Sequence, residues 1–299
     1  MSEQVTVIVN PASGRGRGAR AAEHIHRAFA DVGVTDVRFT TAIGQEQEIA
    51  QQAIRDGATT LVACGGDGTW GNVANAIIKA GSKARLCIVA SGTGNDFAKT
   101  LDIPANDIDQ MAKLAVSGPD LLIDVGRIED KYFLNIAGFG FDIAVLEDIE
   151  NIWWLKGVFL YKYAAIKQLF TYKGLPIGIK SPARQRESKA HLMVIVANAK
   201  FFGGTFTIAP DADLTDGLLD AIAILDASPL QRAKLFDAVG KGTHMKHSSV
   251  VVEQSAAFTL TFPAPPAFET DGEYNRAKSA VVEIASVPRA LRLVVPRRS

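Results

Sequence analysis

Acidic, amide and hydroxyl side chains set among glycines occur three times in the first hundred residues of this chain. The stretches are Asn10-Pro11-Ala12-Ser13-Gly14, Gly65-Gly66-Asp67-Gly68-Thr69 and Ser91-Gly92-Thr93-Gly94-Asn95-Asp96. Glycine lets backbone N–H groups come close to an anion, and a helix that starts just after such a loop aims its positive end at the same place. Three loops of this kind suggest a site that wraps a polyphosphate in backbone amides. Asp67 and Asp96 could hold or position a metal beside that phosphate.

The elements that would carry these loops are legible. Apolar runs at 5–9 and 60–64 lead directly into the first two, and a run at 86–90 leads into the third. A weaker run at 37–40 reads as a further strand. Helical spacing of apolar residues appears at 19–31, 46–56, 72–80 and 108–117. Strands separated by helices predict a parallel, doubly wound, Rossmann-like sheet over residues 1–125. Ligands of such sheets bind at the carboxyl ends of the strands, where all three loops fall. From about residue 122 the rhythm changes. Runs at 121–128, 132–137, 192–197, 219–225, 250–253, 257–262 and 280–285 predict an antiparallel β-sandwich or flattened barrel over 126–287. Two helical insertions, 143–172 and 229–241, interrupt it. The last run, 292–295, fits either half, so residues 288–299 are candidates to return to the first.

Bulk properties narrow the classes. The chain has 299 residues, 47% hydrophobic and 21% charged, enough for two domains with real cores. Formal net charge is zero, which argues against a surface built for nucleic acid. Cys64 and Cys87 both lie in strand-like runs and read as core residues of a reducing compartment. No signal peptide stands at the N-terminus, and no stretch of about 20 residues is apolar enough to span a bilayer. A cytoplasmic protein is expected.

Rival motifs explain less. Gly14-Arg15-Gly16-Arg17-Gly18-Ala19 fits a dinucleotide fingerprint, with Asp36 at nearly the usual distance. Four residues separate it from its strand, however, and it leaves the other two loops unexplained. No Gly-x-x-x-x-Gly-Lys-Ser/Thr loop or Gly-x-Ser-x-Gly elbow is present. His244 and His247 lack the partners of a zinc site.

The three loops together resemble the catalytic domain shared by diacylglycerol, sphingosine and ceramide kinases, and above all the soluble bacterial lipid kinases of that group. The resemblance continues through Ile123-Asp124-Val125-Gly126, residues 132–137, Pro210-Asp211-Ala212, Thr215-Asp216-Gly217-Leu218-Leu219-Asp220 and Asp271-Gly272-Glu273. It implies ATP as co-substrate, magnesium, and transfer of the γ-phosphoryl group to a lipid hydroxyl, with diacylglycerol the leading acceptor. Asn10, Pro11, Ala12, Ser13, Gly14 and Thr40 would face the nucleotide. Gly65, Gly66, Asp67, Gly68 and Thr69 would cradle phosphates, joined by Gly92, Thr93 and Asn95. Asp67 and Asp124 match positions in a metal and water network. A second, structural magnesium would take the Asp216 carboxylate and the main-chain carbonyls of Asp213 and Leu218. Glu273 would be the catalytic base and Asp271 its partner or alternative. One departure stands out: the family usually has Leu-Asn-Glu where this chain has Trp70-Gly71-Asn72.

On the acceptor side, residues 156–186 hold seven basic residues (Lys156, Lys162, Lys167, Lys173, Lys180, Arg184 and Arg186) and no acidic one. The segment also carries Phe159, Leu160, Tyr161, Tyr163, Phe170 and Tyr172, with Trp153 and Trp154 just before it. Aromatics mixed with cations fit peripheral contact with an anionic membrane, and equally a helix packed on the β domain. A homodimer is compatible with the resemblance. Two other readings stay open: a kinase of a soluble acceptor such as NAD, and a non-catalytic lipid- or nucleotide-binding protein.

Overall fold

The computed structural model describes residues 4–42, 44–103, 107–151, 158–204 and 206–296; side chains of 150, 151, 158–162 and 165 lie outside the description. In chain order the elements of the first half are β1 (Val5–Val9), α1 (Ser13–Asp31), β2 (Asp36–Phe39), α2 (Gln45–Arg55), β3 (Thr60–Gly65), α3 (Asp67–Lys79), β4 (Arg85–Ala90), α4 (Asp96–Thr100) and α5 (Ile108–Ser117). The second half comprises β5 (Asp120–Ile128), β6 (Lys131–Phe133), β7 (Ile136–Gly140), α6 (Phe141–Asn151), α7 (Val158–Thr171), β8 (Leu175–Lys180), β9 (Gln185–Ala197), β10 (Phe201–Phe202), β11 (Phe206–Thr207), β12 (Leu219–Leu225), α8 (Pro229–Gly240), β13 (Val250–Ser255), β14 (Ala257–Thr261), β15 (Ala267–Thr270), β16 (Glu273–Arg276) and β17 (Val281–Val294).

Strands β4, β3, β1 and β2 lie side by side in that order, all parallel. β1, β3 and β4 are buried on both faces, as their continuous Val, Ile, Leu and Ala runs require, while β2 at the edge is only half-buried. Helices α1 and α5 pack together, and so do α2 and α3, covering the sheet. The strands run outward in opposite orders from β1 (to β2) and β3 (to β4), so the loops after β1 and β3 flank the crevice where such sheets bind ligands.

The second half is antiparallel. Its path runs β16, β15, β7, β9, β8, β14 and β17, with β12 paired to β9 and β13. Phe139, Phe258, Phe262 and Phe268 fill a core between strands, while Phe141, Ile195, Ile222 and Leu235 form a second core under the helices. β17 ties the halves together. Its first part pairs with β14, its last part runs parallel to β4 at Arg292 and Leu293, and β5 lies antiparallel along it.

Several elements differ from the sequence reading. Helix α1 starts at Ser13 rather than 19, because Gly14, Arg15 and Gly16 turn through left-handed backbone (φ 58°, 59° and 82°) before regular helix begins. α3 starts at Asp67, not 72, so the Gly-Asp-Gly-Thr motif is already its first turn. The single strand expected at 132–137 is broken at Leu134-Asn135, and the helix expected over 143–172 is two helices. Of the basic, aromatic stretch, Trp153, Trp154 and Lys156 lie outside the described residues; Lys180, Arg184 and Arg186 belong to the β8–β9 hairpin instead of a helix.

Candidate active site

The three glycine loops meet at one end of the parallel sheet. Gly66 and Gly92 touch through their main chains: a Cβ added to Gly92 would lie 2.4 Å from the Gly66 Cα. The Ser13 and Ser91 hydroxyls are 2.9 Å apart, and Arg17 reaches across to the Gly92 carbonyl at 2.5 Å. Gly14 sits in left-handed backbone, where an added Cβ would lie 2.1 Å from the Ser91 carbonyl oxygen. These contacts need glycine for space and for conformation.

Two clefts open on either side of the first turn of α3. The first, of about 430 Å³, is lined by Asn10, Pro11, Ala12, Thr40, Thr41, Ala42, Gly44, Glu46, Gly68, Thr69, Asn72 and Glu273. The second, of about 340 Å³, is lined by Asp67, Thr93, Gly94, Asp96, Asn135 and Asp142, by Ile136, Leu146, Phe201 and Phe202, and by Gly203, Gly204, Glu269, Asp271 and Gly272. Thus Asn10, Pro11, Ala12, Thr40, Gly68 and Thr69 share one cleft, while Thr93 faces the other. Ser13, Gly14, Gly65, Gly66 and Gly92 form the packed floor between strands. Asn95 is the left-handed N-cap of α4 (φ 55°), with its Oδ1 buried and unpartnered beside Gly92.

Asp67 stands at the wall of the second cleft. Its Oδ1 accepts from the Phe97 amide at 3.0 Å and from Asn135 Nδ2 at 3.2 Å. Burial raises its pKa, and the charge of Asp96 adds to the shift. Asp271 occupies the tight turn between β15 and β16 in left-handed backbone (φ 51°). Its carboxylate accepts from the amides of Leu134, Asn135 and Ile136 at 2.7, 2.8 and 3.1 Å. Those bonds are the reason the strand breaks there. Glu273, two residues on, is half-buried and lies 3.8 Å from Lys131 Nζ; its Oε1 lies 4.0 Å from where a Cβ on Gly68 would stand. The departure residues have clear places. Trp70 is fully buried with its indole N–H on the Ala63 carbonyl at 3.1 Å. Gly71 faces Asp271, whose Oδ2 lies 3.6 Å from an added Cβ.

Sequence reasoning missed Asp142 and Glu269. Their carboxyls converge over the bare face of Gly138, where an added Cβ would lie 2.9 Å from Asp142 Oδ2 and 3.2 Å from Glu269 Oε1. Both Asp142 oxygens and Glu269 Oε1 are buried without a hydrogen-bond partner. Burial raises both pKa values, and the proximity of Asp142 lifts Glu269 further. Neither residue sits in a glycine motif, so no local signal marks them.

Asp124 is fully buried and does not line either cleft. It belongs with the loop of Asp213, Asp216 and Leu218: its oxygens accept from the Gly217 amide at 2.6 Å and the Arg289 amide at 2.7 Å. Asp213 accepts from Thr215, and Asp216 from the Leu218 amide. Nearby Asp220 is pushed up to about 6 by burial, with repulsion from Asp216 and Asp211 contributing. Excess negative charge on oxygen donors suits a hard cation. Among the described residues no group of three or more His, Cys, Asp or Glu side chains is arranged to hold a metal.

A crevice with three amide-rich loops, an acid at a helix start and a carboxylate turn opposite is built for phosphoryl transfer. Residues 4–128 match the family model described as the diacylglycerol kinase catalytic domain. Residues 135–295 match the YegS C-terminal NAD kinase beta sandwich-like domain. The chain belongs to this kinase family. A diacylglycerol kinase of Mycobacterium tuberculosis (strain ATCC 25618 / H37Rv) is 29% identical, over 98% of this chain and 96% of that protein. A diacylglycerol kinase of Bacillus subtilis (strain 168) is 24% identical, over 99% and 97%. A crystal structure of a diacylglycerol kinase from Bacillus anthracis superposes with TM-score 0.74 at 20% identity, covering 99% and 97% of the two chains. An ATP-bound NAD kinase of Archaeoglobus fulgidus shares the fold more distantly, with TM-score 0.56 at 12% identity, over 98% and 94%. As a family member this kinase takes ATP as co-substrate. Among the described residues no helix is long and apolar enough to cross a membrane.

Proposed function

We propose that the protein transfers the γ-phosphoryl group of ATP to the hydroxyl of a membrane lipid, with diacylglycerol the leading acceptor. The observation that carries this reading is the contrast between the two clefts on either side of the first turn of α3. The first is lined by small, polar and backbone groups suited to a nucleotide. The second has an apolar lip of Ile136, Leu146, Phe201 and Phe202 above buried carboxyls. An acyl-bearing alcohol can rest its chain on that lip and bring its hydroxyl to the 271–273 turn, where Asp271 lines this cleft and Glu273 the first.

In the reaction the acceptor oxygen bonds to the γ-phosphorus as the bond to the departing ADP oxygen breaks, and the hydroxyl proton leaves to a carboxylate. Glu273 is the better base. Its carboxylate is half-exposed and free to move, whereas three amides fix Asp271 in place. Asp271 instead holds the 134–136 turn, and so Asn135, against Asp67. The Asp67 Oδ2 faces the Gly94 backbone, 3.4 Å from where a Cβ there would stand, and is an oxygen ligand that fits magnesium beside the phosphates. Bound there, the ion would neutralise charge on the transferring group. At the second site Asp216, with the main-chain oxygens of Asp213 and Leu218, would hold a structural magnesium.

The lipid acceptor implies a membrane-facing surface. On α7, Tyr163, Ile166 and Phe170 are exposed one and two turns apart, and Leu230 is exposed on the adjoining α8. Helix α6, which supplies Leu146, packs against α7. We place the membrane on this side.

The test is transfer of labelled γ-phosphate from ATP with magnesium to diacylglycerol, monoacylglycerol, phosphatidylglycerol, sphingosine and ceramide in mixed micelles, with NAD as soluble acceptor. Label on a lipid that falls about 10²-fold or more in Glu273→Gln and in Asp67→Asn, with ATP still bound, is expected. Label on NAD alone would overturn the lipid reading.

A further inference from the structure

The nucleotide-side cleft contains an acid that no loop motif accounts for. Glu46 sits in the first turn of α2 and is only 2% exposed, yet it lines the first cleft. Its Oε1 accepts from Asn10 Nδ2 at 2.8 Å and from the Thr69 hydroxyl at 3.3 Å. Asn10 Nδ2 also reaches Thr69 Oγ1, at 3.1 Å. The other oxygen, Oε2, is buried and has no partner. A buried carboxyl oxygen left without a donor costs stability, so its retention at a cleft floor asks for a ligand.

We propose that Glu46 Oε2 accepts a hydrogen bond from a ribose hydroxyl of the bound nucleotide and makes this kinase select ribonucleotides. This rests on the kinase reading above, and on three features of the site. Glu46 is tied to Thr69, in the first turn of α3, and to Asn10, the first residue of the β1 loop. It therefore stands next to the groups that meet phosphate, at the depth of the sugar; the base lies one unit farther out, toward Thr41 and Ala42. The free atom is an acceptor, and the ribose offers two hydroxyl donors, at C2′ and C3′, on the ring that carries the phosphate chain at C5′. An acid on the ribose is also a recurrent solution in nucleotide sheets. Finally, α3 offers no acid of its own there: it lines this cleft with Gly68, Thr69 and Asn72, and the family usually has glutamate at the last of these positions. The carboxylate comes instead from the neighbouring helix.

Binding of ATP, 2′-deoxy-ATP and 3′-deoxy-ATP to the full chain, measured by calorimetry without any lipid, tests this. The wild type is expected to bind one of the two deoxy analogues about tenfold more weakly than ATP, as a hydrogen bond to a charged acceptor implies. Glu46→Gln should bind ATP more weakly by a similar factor and lose most of the discrimination. Two outcomes overturn the proposal. One is a wild type that binds all three nucleotides alike, a result independent of how any variant folds. The other is a Glu46→Gln protein that weakens all three equally, which would make Glu46 only a brace for Asn10 and Thr69. A wild type that binds no ATP would overturn the kinase reading itself, together with this inference. Lipid transfer plays no part in the assay, so failure of the lipid assignment leaves its result standing.

Discussion

The Asp271 carboxylate is pushed up to about 7, chiefly by burial, against the pull of three amides that favour its charged form and with Asp67 adding repulsion. A raised acid binds its proton more tightly in the folded state. Its contribution to stability is thus complete below its ordinary value near 3.8 and is lost as pH rises through about 7. Over that window each pH unit removes up to about 1.4 kcal/mol from this group. Urea unfolding of the wild type and Asp271→Asn at pH 5 and pH 8 checks the sign. The wild type should lose more stability between the two pH values than the variant does. The variant should be less stable at pH 8, where its amide presents a donor to a turn of donors, by about 1–3 kcal/mol. Sequence named Asp271 and Glu273 through the Asp-Gly-Glu motif, but could not divide their roles. The division follows from amides contributed by residues 134–136, more than a hundred positions away. Asp142 and Glu269 were illegible for the same reason: one lies on α6 and the other on β15, and what joins them is the missing side chain of Gly138 on β7.

At the level of elements, the parallel strands and their helices were readable because their signals are local, with buried apolar runs and helical periodicity. Helix starts were not. α3 begins several residues early because its glycine-rich motif folds into the first helical turn, where composition says loop, whereas ahead of the regular part of α1 residues 14–16 turn through left-handed backbone. β9 was read only as its apolar half; Gln185–Ala190 is water-facing and carries no strand pattern. The close approach of the second and third loops argues for a sharp consequence. Gly92→Ala places a methyl carbon 2.4 Å from the Gly66 Cα, backbone that has no side chain to swing aside. The loops must separate, with an expected loss of about 1–3 kcal/mol in stability and at least about tenfold in ATP affinity. Thermal melting and calorimetry measure both. The Asp213–Leu218 loop makes a contrasting prediction. If the acid excess around Asp216 and Asp220 is matched by a cation, millimolar magnesium should raise the melting temperature of the wild type, and Asp216→Asn should remove most of that rise.

Among the described residues the antiparallel path and the parallel strands form a continuous sheet that passes through β17, and this explains why the chain's second half was legible as β yet not as a plan. Alternating runs announced antiparallel strands, but which strands pair depends on β17, whose Val281–Ala285 stretch belongs to the sandwich and whose Arg292 and Leu293 join the parallel sheet. Such a tie holds the carboxylate turn at 271–273 in a fixed relation to the nucleotide loops. If the acceptor arrives from a bilayer, orientation of the whole body must then matter. The exposed Tyr163, Ile166 and Phe170 face of α7, with Leu230 beside it, lies on the helix that packs against α6, which supplies Leu146 to the lip of the second cleft. Lys167, on the same helix, is already paired with Asp148, so apolar insertion carries more of the contact than that charge does. The double variant Ile166→Glu and Phe170→Glu buries nothing new and leaves the core intact. It should lower binding to phosphatidylglycerol vesicles about tenfold or more, as loss of two inserted side chains implies. Phosphorylation of a diacylglycerol presented in those vesicles should fall in parallel, while a short-chain diacylglycerol dispersed below its micelle concentration should be turned over at the wild-type rate. Equal loss on both substrates would place these side chains in the folding or catalytic core rather than at the membrane. Equal retention on both would move the membrane to another face.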